Sequence, residues 1–256
     1  MIETIEAVGA RLRRYLAADL CLDIGEHDGM FVRGVDVALN QYLMVGRSAI
    51  EMIAQAMIIG GKPEIASVLD LPCGGGRVTR HLVKFLPEAT IYVAELDKRN
   101  EDFVARTFGV TPIAAPADFS KTPPRTFDLV FVGSLLTHLP KERFAAALRW
   151  FTAALAPDGL LVATISGRRA DHCERTMNRY IDPPLWDAAG NSRDATGFGY
   201  VETERNAAGS YGFSLAAPSW VLRLVETEPR CRILGFHEAA WGDHQDALIL
   251  QRRALA

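Results

Sequence analysis

Acidic side chains follow three successive apolar stretches in the first half of the chain. Asp70, Glu95 and Asp118 each stand at or just beyond the end of such a stretch. Carboxylates at these places can hold an ammonium group, the two hydroxyls of a ribose, and the amino group of an adenine, respectively. Three acids at the ends of three successive strands therefore indicate a site for a nucleoside-bearing ligand.

The loop Asp70-Leu-Pro-Cys-Gly-Gly-Gly76 leads from the first apolar stretch into a helix predicted over about 76–86. Its glycines let a ligand approach the backbone closely, and the helix N-terminus offers free N–H groups. A dinucleotide fingerprint, G-x-G-x-x-G, would need a third glycine where Thr79 stands. Asp70 also suits a cationic ligand end better than a pyrophosphate. The loop therefore favours a nucleoside ligand other than a dinucleotide.

Short apolar runs alternate with helical stripes from residue 65 onward, which predicts a parallel sheet with helices on both faces. Five strands are predicted at 65–69, 90–94, 110–115, 127–132 and 160–165, and two terminal runs at 232–241 and 247–251. The short link between the terminal runs predicts an antiparallel hairpin. The expected fold is α/β, a doubly wound, mostly parallel seven-stranded sheet with an antiparallel terminal strand.

Residues 1–60 are predicted to form an N-terminal helical cap, and residues 61–256 the sheet domain. The first helix of the cap is inferred from four apolar residues at helical spacing, Ile5, Val8, Leu12 and Leu16. Ser48 and Glu51 have the spacing of a capping box. This spacing predicts that a second helix begins there, after a loop that holds Arg47.

Composition excludes several classes of function. The formal net charge is -3 and Lys and Arg form no basic run, so a nucleic-acid partner is not expected. The four cysteines are scattered without a C-x-x-C pair, so neither a disulfide framework nor a metal site is expected. With no signal segment and no apolar run near the roughly 20 residues of a membrane span, we expect a cytoplasmic protein without membrane contact. The composition leaves a homodimer open.

The segment Val68-Leu-Asp-Leu-Pro-Cys-Gly-Gly-Gly-Arg77 resembles the first motif of class I S-adenosylmethionine-dependent methyltransferases, usually D-x-G-C-G-x-G. Residues 91–96, 115–119, 127–140 and 155–162 resemble later motifs of the same family, in the same order. Pro72 departs from the pattern, because it stands where the family usually has its first glycine. The resemblance implies a Rossmann-like methyltransferase with S-adenosylmethionine as methyl donor.

Carried over residue by residue, the resemblance implies the cofactor contacts. Asp70, Leu71, Pro72, Cys73, Gly74 and Gly76 would line the methionine end, Glu95 would bind the ribose hydroxyls, and Leu96, Asp118 and Phe119 would hold the adenine. Gly133 and Ser134 would lie beneath the sulfonium. In addition, the loop before Ser48 is expected to present Arg47 to the cofactor carboxylate, against the alternative of an ordinary surface arginine.

Two histidines are candidate general bases for the acceptor. His138 follows the fourth strand, and His244 lies in the link between the last two strands, which falls on the ligand side if the sixth strand is parallel to the others. The alternatives are a packing or cap role for His138 and a turn role for His244. The insertion at about 166–215 supplies candidate acceptor-wall aromatics, and Trp220 follows it; the candidates are Trp186, Tyr200, Tyr211, Phe213 and Trp220.

The expected function is methyl transfer to a small-molecule or saccharide acceptor by in-line displacement. The saccharide is suggested by a loose similarity of the segments 42–47 and 241–246 to methyltransferases found alongside glycosyltransferases. Two other functions stay open. One is a nicotinamide-dependent oxidoreductase on the same type of sheet, against which Thr79 argues, and the other is a non-catalytic S-adenosylmethionine-binding module.

Overall fold

The structure is a computed structural model that describes residues 1–178, 180–206 and 209–253. Within these ranges the side chains of 178, 204–206, 209 and 210 are outside the description. The helices are α1 Ile2–Leu16, α2 Ala38–Gly60, α3 Thr79–Phe85, α4 Lys98–Phe108, α5 Lys141–Ala153, α6 Arg168–Cys173, α7 Pro183–Thr196 and α8 Pro218–Glu226. The strands are β1 Ser67–Asp70, β2 Thr90–Val93, β3 Thr111–Pro112, β4 Phe127–Val132, β5 Leu155–Ile165, β6 Phe198–Asn206, β7 Gly209–Ala216, β8 Cys231–Trp241 and β9 Gln245–Arg252.

Seven strands form one sheet in the order β3-β2-β1-β4-β5-β9-β8. Strands β1 to β5 are parallel where they pair, and β9 runs antiparallel to both β5 and β8. The predicted doubly wound, mostly parallel sheet with an antiparallel terminal strand is confirmed. Strand order reverses between β1 and β4, and in such sheets ligands bind at the carboxyl ends of the strands that flank the reversal.

Both faces of the sheet are covered. Along β4, Leu129 and Phe131 belong to a buried cluster with α2, α3 and α4, whereas Val130 and Val132 belong to a cluster with α5 and α8. Successive side chains of a strand point to opposite faces. The continuous apolar run at 127–132 is thus explained by burial on both sides.

The buried stripe of α1 differs from the predicted one. Ile5 and Leu16 are exposed, and the buried residues of the helix are Thr4, Val8, Arg11 and Tyr15. Arg11 forms an ion pair with Glu88, and the Tyr15 hydroxyl is 2.7 Å from His81 Nδ1. Polar partners on the sheet domain therefore rotate the helix away from the purely apolar stripe.

The second helix begins ten residues before Ser48, at Ala38, so the predicted capping box is wrong. Inside α2, Ser48 Oγ donates to the Val45 carbonyl oxygen and accepts from Gly242 N of the β8–β9 hairpin. The helix is long and apolar enough to span a membrane by length and composition, contrary to expectation, although 44% of its most apolar window is buried. In this structure α2 packs against α3, β5 and β8 as a core helix.

The described residues of the insertion at 166–215 form elements of their own. They form α6, a single π-helical turn at 174–178, α7 and most of the two-stranded sheet β6–β7. Trp186, Val201 and Leu215 are the buried centre of this part. The insertion therefore carries a small core that holds the β6–β7 hairpin beside the main sheet.

Candidate active site

Asp70 ends β1 at the point where the strand order reverses. Its side chain is buried, and Oδ2 accepts a hydrogen bond from the Thr79 hydroxyl at 2.7 Å. Burial raises the pKa of Asp70 to about 7. A carboxyl group in this state is stabilised as an anion by a neighbouring cation. Thr79, which the sequence marked as a missing glycine, is thus the residue that orients Asp70.

The glycine loop turns between β1 and α3. The Leu71–Pro72 bond is cis, and Cys73 N donates to the Ala94 carbonyl oxygen at 3.2 Å. Gly74 has a φ of 51°, and a Cβ added there would meet nothing within 4 Å. A Cβ on Gly75 would instead fall 2.3 Å from Asp28 Oδ2. The loop is therefore open to a ligand at Gly74 and covered by the N-terminal segment at Gly75.

Glu95 follows β2 and faces the same loop. One carboxylate oxygen accepts from Gly74 N at 2.9 Å, and the other accepts from Leu96 N at 2.7 Å and Asp97 N at 3.1 Å. Since each oxygen has two lone pairs, Oε2 keeps acceptor capacity for a further hydroxyl. The backbone thus fixes Glu95 at the mouth of the loop.

In the segment after β3, Phe119 lies at the site and Asp118 lies outside it. Phe119 has a φ of 61°, and its ring packs edge-on against Phe151 with the centroids 5.7 Å apart. Asp118 is exposed, accepts from Ser120 N and Oγ, and does not line the cavity. The Asp118 carboxylate shapes the turn that presents Phe119, and its contact with an adenine stays a prediction that this position does not support.

Gly133 and Ser134 follow β4. Ser134 has a φ of 62°, and its N–H donates to Thr164 Oγ1 at 2.7 Å. Thr164 donates to Gln245 Oε1 at 2.6 Å, and Gln245 Nε2 donates back to Ser134 Oγ at 2.8 Å. This closed ring of hydrogen bonds fixes the Ser134 hydroxyl oxygen. Sequence reasoning missed Thr164 and Gln245, since 81 residues separate them.

His138 ends a 3₁₀ turn, Leu136–His138, that follows β4. Its Nδ1 is 2.8 Å from the Gly212 carbonyl oxygen of β7. Because a carbonyl oxygen only accepts, Nδ1 carries the proton and donates. The imidazole stacks on Tyr211 with the ring centroids 4.7 Å apart at an angle of 15°. Burial lowers the pKa of His138, so the ring is neutral near pH 7.

These elements enclose a cavity of about 420 Å³, a size typical of small-ligand sites. Among the predicted site residues its lining includes Asp70, Leu71, Pro72, Cys73, Gly74, Glu95, Leu96, Phe119, Gly133, Ser134 and His138. Gly76 does not line it; a Cβ there would fall 2.5 Å from the Phe108 ring, so this glycine serves packing. Of the candidate acceptor-wall aromatics, Tyr211 lines the cavity, and Trp186, Tyr200, Phe213 and Trp220 do not.

A guanidinium does face the cavity, from a different residue than predicted. Arg47 is exposed on α2 and pairs with Glu51 at 3.2 Å, outside the cavity. Arg77, next to the glycine loop, lines the cavity and lies over the Trp241 ring at 5.0 Å. This corrects the prediction for Arg47, which rested on a loop that the structure shows to be helix.

His244 lies in the β8–β9 link, on the ligand side of the sheet as expected from the parallel direction of β8. It does not line the cavity; Trp241, at the other end of the link, does. Trp241 Nε1 donates to the Val45 carbonyl oxygen at 3.0 Å. The link therefore docks on α2 and closes the cavity with the indole, and the role of His244 as a base stays a prediction that this position does not support.

The cavity suits an S-adenosyl group. Gly74 leaves room beside Asp70 and Asp28 for an ammonium group and beside Arg77 for a carboxylate, while Glu95 suits a ribose diol. Apolar side chains suit an adenine face, and they are Leu71, Leu96, Ala115, Pro116 and Phe119. The donor set thus matches the charges of the group along its length.

Residues 68–159 match the family model described as a methyltransferase domain. A search of curated protein sequences finds no match. Among solved structures, the chain is similar to the N-methyltransferase NodS from Bradyrhizobium japonicum WM9, crystallised with S-adenosylhomocysteine, at 14% identity and a TM-score of 0.51, with 96% of this chain and 98% of that chain covered.

Two further structures extend the likeness. The 1,6-didemethyltoxoflavin-N1-methyltransferase of Burkholderia thailandensis is 15% identical with a TM-score of 0.56, over 97% of this chain and 90% of that chain. The amino pentose methyltransferase CalS10 of Micromonospora echinaspora is 17% identical with a TM-score of 0.52, over 86% of this chain and 99% of that chain. Residues 68–159 therefore match a methyltransferase domain, and the chain shares the fold of these S-adenosylmethionine-dependent methyltransferase structures.

Proposed function

We propose that the protein transfers a methyl group from S-adenosylmethionine to a small-molecule or saccharide acceptor. The observation that carries the proposal is the cavity at the carboxyl ends of β1 and β4, with Glu95 and Asp70 on one side and His138 on the other. The names of two neighbours, a toxoflavin-precursor methyltransferase and an amino pentose methyltransferase, support this acceptor class.

When bound, S-adenosylmethionine supplies an electrophilic methyl group on a sulfonium. The residues of the chain then have three tasks. Asp70, Arg77 and Glu95 bind and orient the two polar ends of the donor, Ser134 fixes the floor below the transferred group, and Trp241 and Tyr211 exclude water from the acceptor side. Alignment of this kind is the main contribution an enzyme makes to an in-line displacement.

Four free cysteines, Cys21, Cys73, Cys173 and Cys231, support a reducing cytoplasm as the location. Homodimer formation stays a prediction. A purely cofactor-binding module would share the donor half of the cavity. The enclosed space at His138 and Tyr211 favours an enzyme, since such a module needs no acceptor chamber.

A thermal-shift comparison tests the proposal. S-adenosylhomocysteine at a hundredfold excess over its Kd should stabilise the fold by about 2.7 kcal/mol, a rise in Tm of roughly 5 °C or more. NAD and NADP should leave Tm unchanged, because the loop lacks the third glycine. Stabilisation by a nicotinamide dinucleotide alone would establish the oxidoreductase alternative, and failure of all three ligands would also refute the proposal.

A further inference from the structure

The acceptor end of the cavity is built from a few polar groups that come together from β4, β7 and β9. Ser134 and His138 follow β4, and Tyr211 lies on β7. Gln245 of β9 does not line the cavity, but its Nε2 donates to Ser134 Oγ. The carboxylates that line the cavity, Asp28, Asp70 and Glu95, lie at the glycine loop. The acceptor end therefore offers neutral hydrogen-bonding groups rather than negative charge.

His138 presents an acceptor to this space. Its Nδ1–H is engaged by the Gly212 carbonyl oxygen, which leaves the lone pair on Nε2. The Tyr211 hydroxyl is 3.5 Å from Nε2, but the two rings are nearly parallel, so this hydroxyl lies above the imidazole plane. Since the Nε2 lone pair lies in the ring plane, it stays directed past Tyr211.

The turn that carries His138 is clamped to the β6–β7 hairpin. Besides the Gly212 contact, Ser214 Oγ donates to the Leu136 carbonyl oxygen at 2.8 Å. A Cβ on Gly212 would fall 1.9 Å from the Val201 carbonyl oxygen, so only glycine allows this pairing of the hairpin strands. The pairing of β6 with β7 thus places the Gly212 carbonyl oxygen against Nδ1 of His138 and so fixes the tautomer of the imidazole.

Ser134 presents a donor to the same space. Its hydroxyl oxygen already accepts from Gln245 Nε2, because Gln245 Oε1 is held by the Thr164 hydroxyl. Thr137 Oγ1 is 3.4 Å away and itself donates to the Ser134 carbonyl oxygen at 2.7 Å. The remaining hydrogen of Ser134 thus has the long 3.4 Å contact to Thr137 Oγ1 as its partner, and a ligand oxygen at ordinary hydrogen-bond distance replaces that weak contact.

One fixed acceptor and one available donor select a hydroxyl over an amine. A hydroxyl oxygen can give its proton to His138, direct one lone pair at the methyl group and accept from Ser134 with the other. An amine nitrogen has a single lone pair, which the transfer consumes, and an ammonium has none. We propose that the protein is an O-methyltransferase in which His138 is the general base and Ser134 the donor that holds the acceptor oxygen. This inference rests on the proposed function.

The step balances in electrons and protons. The acceptor oxygen bonds to the methyl carbon while the carbon–sulfur bond breaks with its electron pair going to sulfur. The hydroxyl proton passes to Nε2 of His138, and the imidazolium formed returns it to solvent.

The charged groups that line the cavity with His138 are the cations Arg77 and Arg143 and the carboxylates Asp28, Asp70 and Glu95. Tyr211 is the titratable group that contacts His138 directly.

The first test reads His138 without turnover. Nitrogen-15 spectra of the full chain should show His138 protonated at Nδ1 and bare at Nε2, with a titration below the ordinary histidine pKa of about 6.5. His138→Gln identifies the signal, and His172→Gln, at an exposed position on α6, is the control. A proton on Nε2 near pH 7 would overturn the assignment of the base.

The second test compares acceptors that differ only in oxygen or nitrogen. Methyl glycosides with their amino-deoxy counterparts, and phenols with the matching anilines, are offered with labelled S-adenosylmethionine. Label should enter the hydroxyl members, with kcat about 10²- to 10⁴-fold lower in His138→Gln and about 10- to 100-fold lower in Ser134→Ala. His172→Gln should match the wild type.

The outcomes separate the two levels of the proposal. Methylated amines, unlabelled hydroxyl members in a protein that binds S-adenosylhomocysteine, or full activity in His138→Gln would each overturn the O-methyltransferase assignment alone. Lack of S-adenosylhomocysteine binding would overturn the proposed function itself.

Discussion

Asp70 shows how single residues of the site depend on partners far along the sequence. Its position at the end of β1 was predictable, because the acid follows an apolar run and precedes glycines. The hydrogen bond from Thr79 and the burial that raises its pKa to about 7 were not, since both arise from packing. The same limit explains Arg47 and Asp118: sequence reasoning found the right chemistry, a guanidinium and an acid, but had no means to decide which side chain turns inward.

The raised pKa of Asp70 has a measurable consequence for ligand binding. A bound ammonium group stabilises the carboxylate and lowers its pKa, so binding of S-adenosylhomocysteine at pH 7 should release about half a proton. Affinity should accordingly fall as the pH drops below about 7, because Asp70 is then protonated in most molecules of the free protein and must lose that proton on binding.

Calorimetry in two buffers of different ionisation enthalpy measures this release. Asp70→Asn is the matched control, because it keeps the size of the side chain and removes the titration. Equal binding enthalpies in both buffers for the wild type would show that Asp70 is already ionised in the free protein.

At the scale of elements, the N-terminal segment is fastened over the glycine loop by Arg80 of α3. Its fully buried guanidinium donates to the carbonyl oxygens of Gly76, Cys21 and Asp23 at 3.1, 2.7 and 3.0 Å. It also lies over the Tyr42 ring at 5.0 Å. The Tyr42 hydroxyl in turn donates to Asp28, whose side chain covers Gly75.

Removing this guanidinium should loosen the cover of the site. Arg80→Met removes three side-chain hydrogen bonds to backbone carbonyl oxygens together with a buried guanidinium, and it should lower the free energy of unfolding by about 2–4 kcal/mol. We expect S-adenosylhomocysteine affinity to fall about tenfold as well. Denaturant unfolding and calorimetry measure the two effects, with the exposed Arg13→Met on α1 as control. Unchanged affinity in Arg80→Met would show that the segment plays no part in holding the donor.

Element boundaries followed the sequence where a pattern reflects burial. The strand at 127–132 was predicted with its observed bounds, because burial on both faces leaves an unbroken apolar run. Ser48 and Glu51 have capping-box spacing inside α2, where Ser48 instead accepts from the distant Gly242. A local spacing rule cannot register a contact that spans 194 residues.

At the scale of the whole molecule, the donor half and the acceptor half of the cavity differ in how they are encoded. The donor half is made by consecutive strand ends, so the order of elements predicts it. The acceptor half appears when the β6–β7 hairpin folds back on the end of β4 and brings Gly212 to His138 across 74 residues. Nothing local in the insertion signals that return, which is why Tyr211 alone among the five candidate acceptor-wall aromatics lines the cavity.

The most direct test of the account is calorimetric titration of S-adenosylhomocysteine into the wild type and Glu95→Gln. Glu51→Gln, on the exposed face of α2, is the matched control. We expect one site per chain, a roughly 10- to 100-fold weaker Kd in Glu95→Gln for a lost charged hydrogen bond, and no change in the control. No binding to the wild type, or equal affinity in wild type and Glu95→Gln, would contradict it.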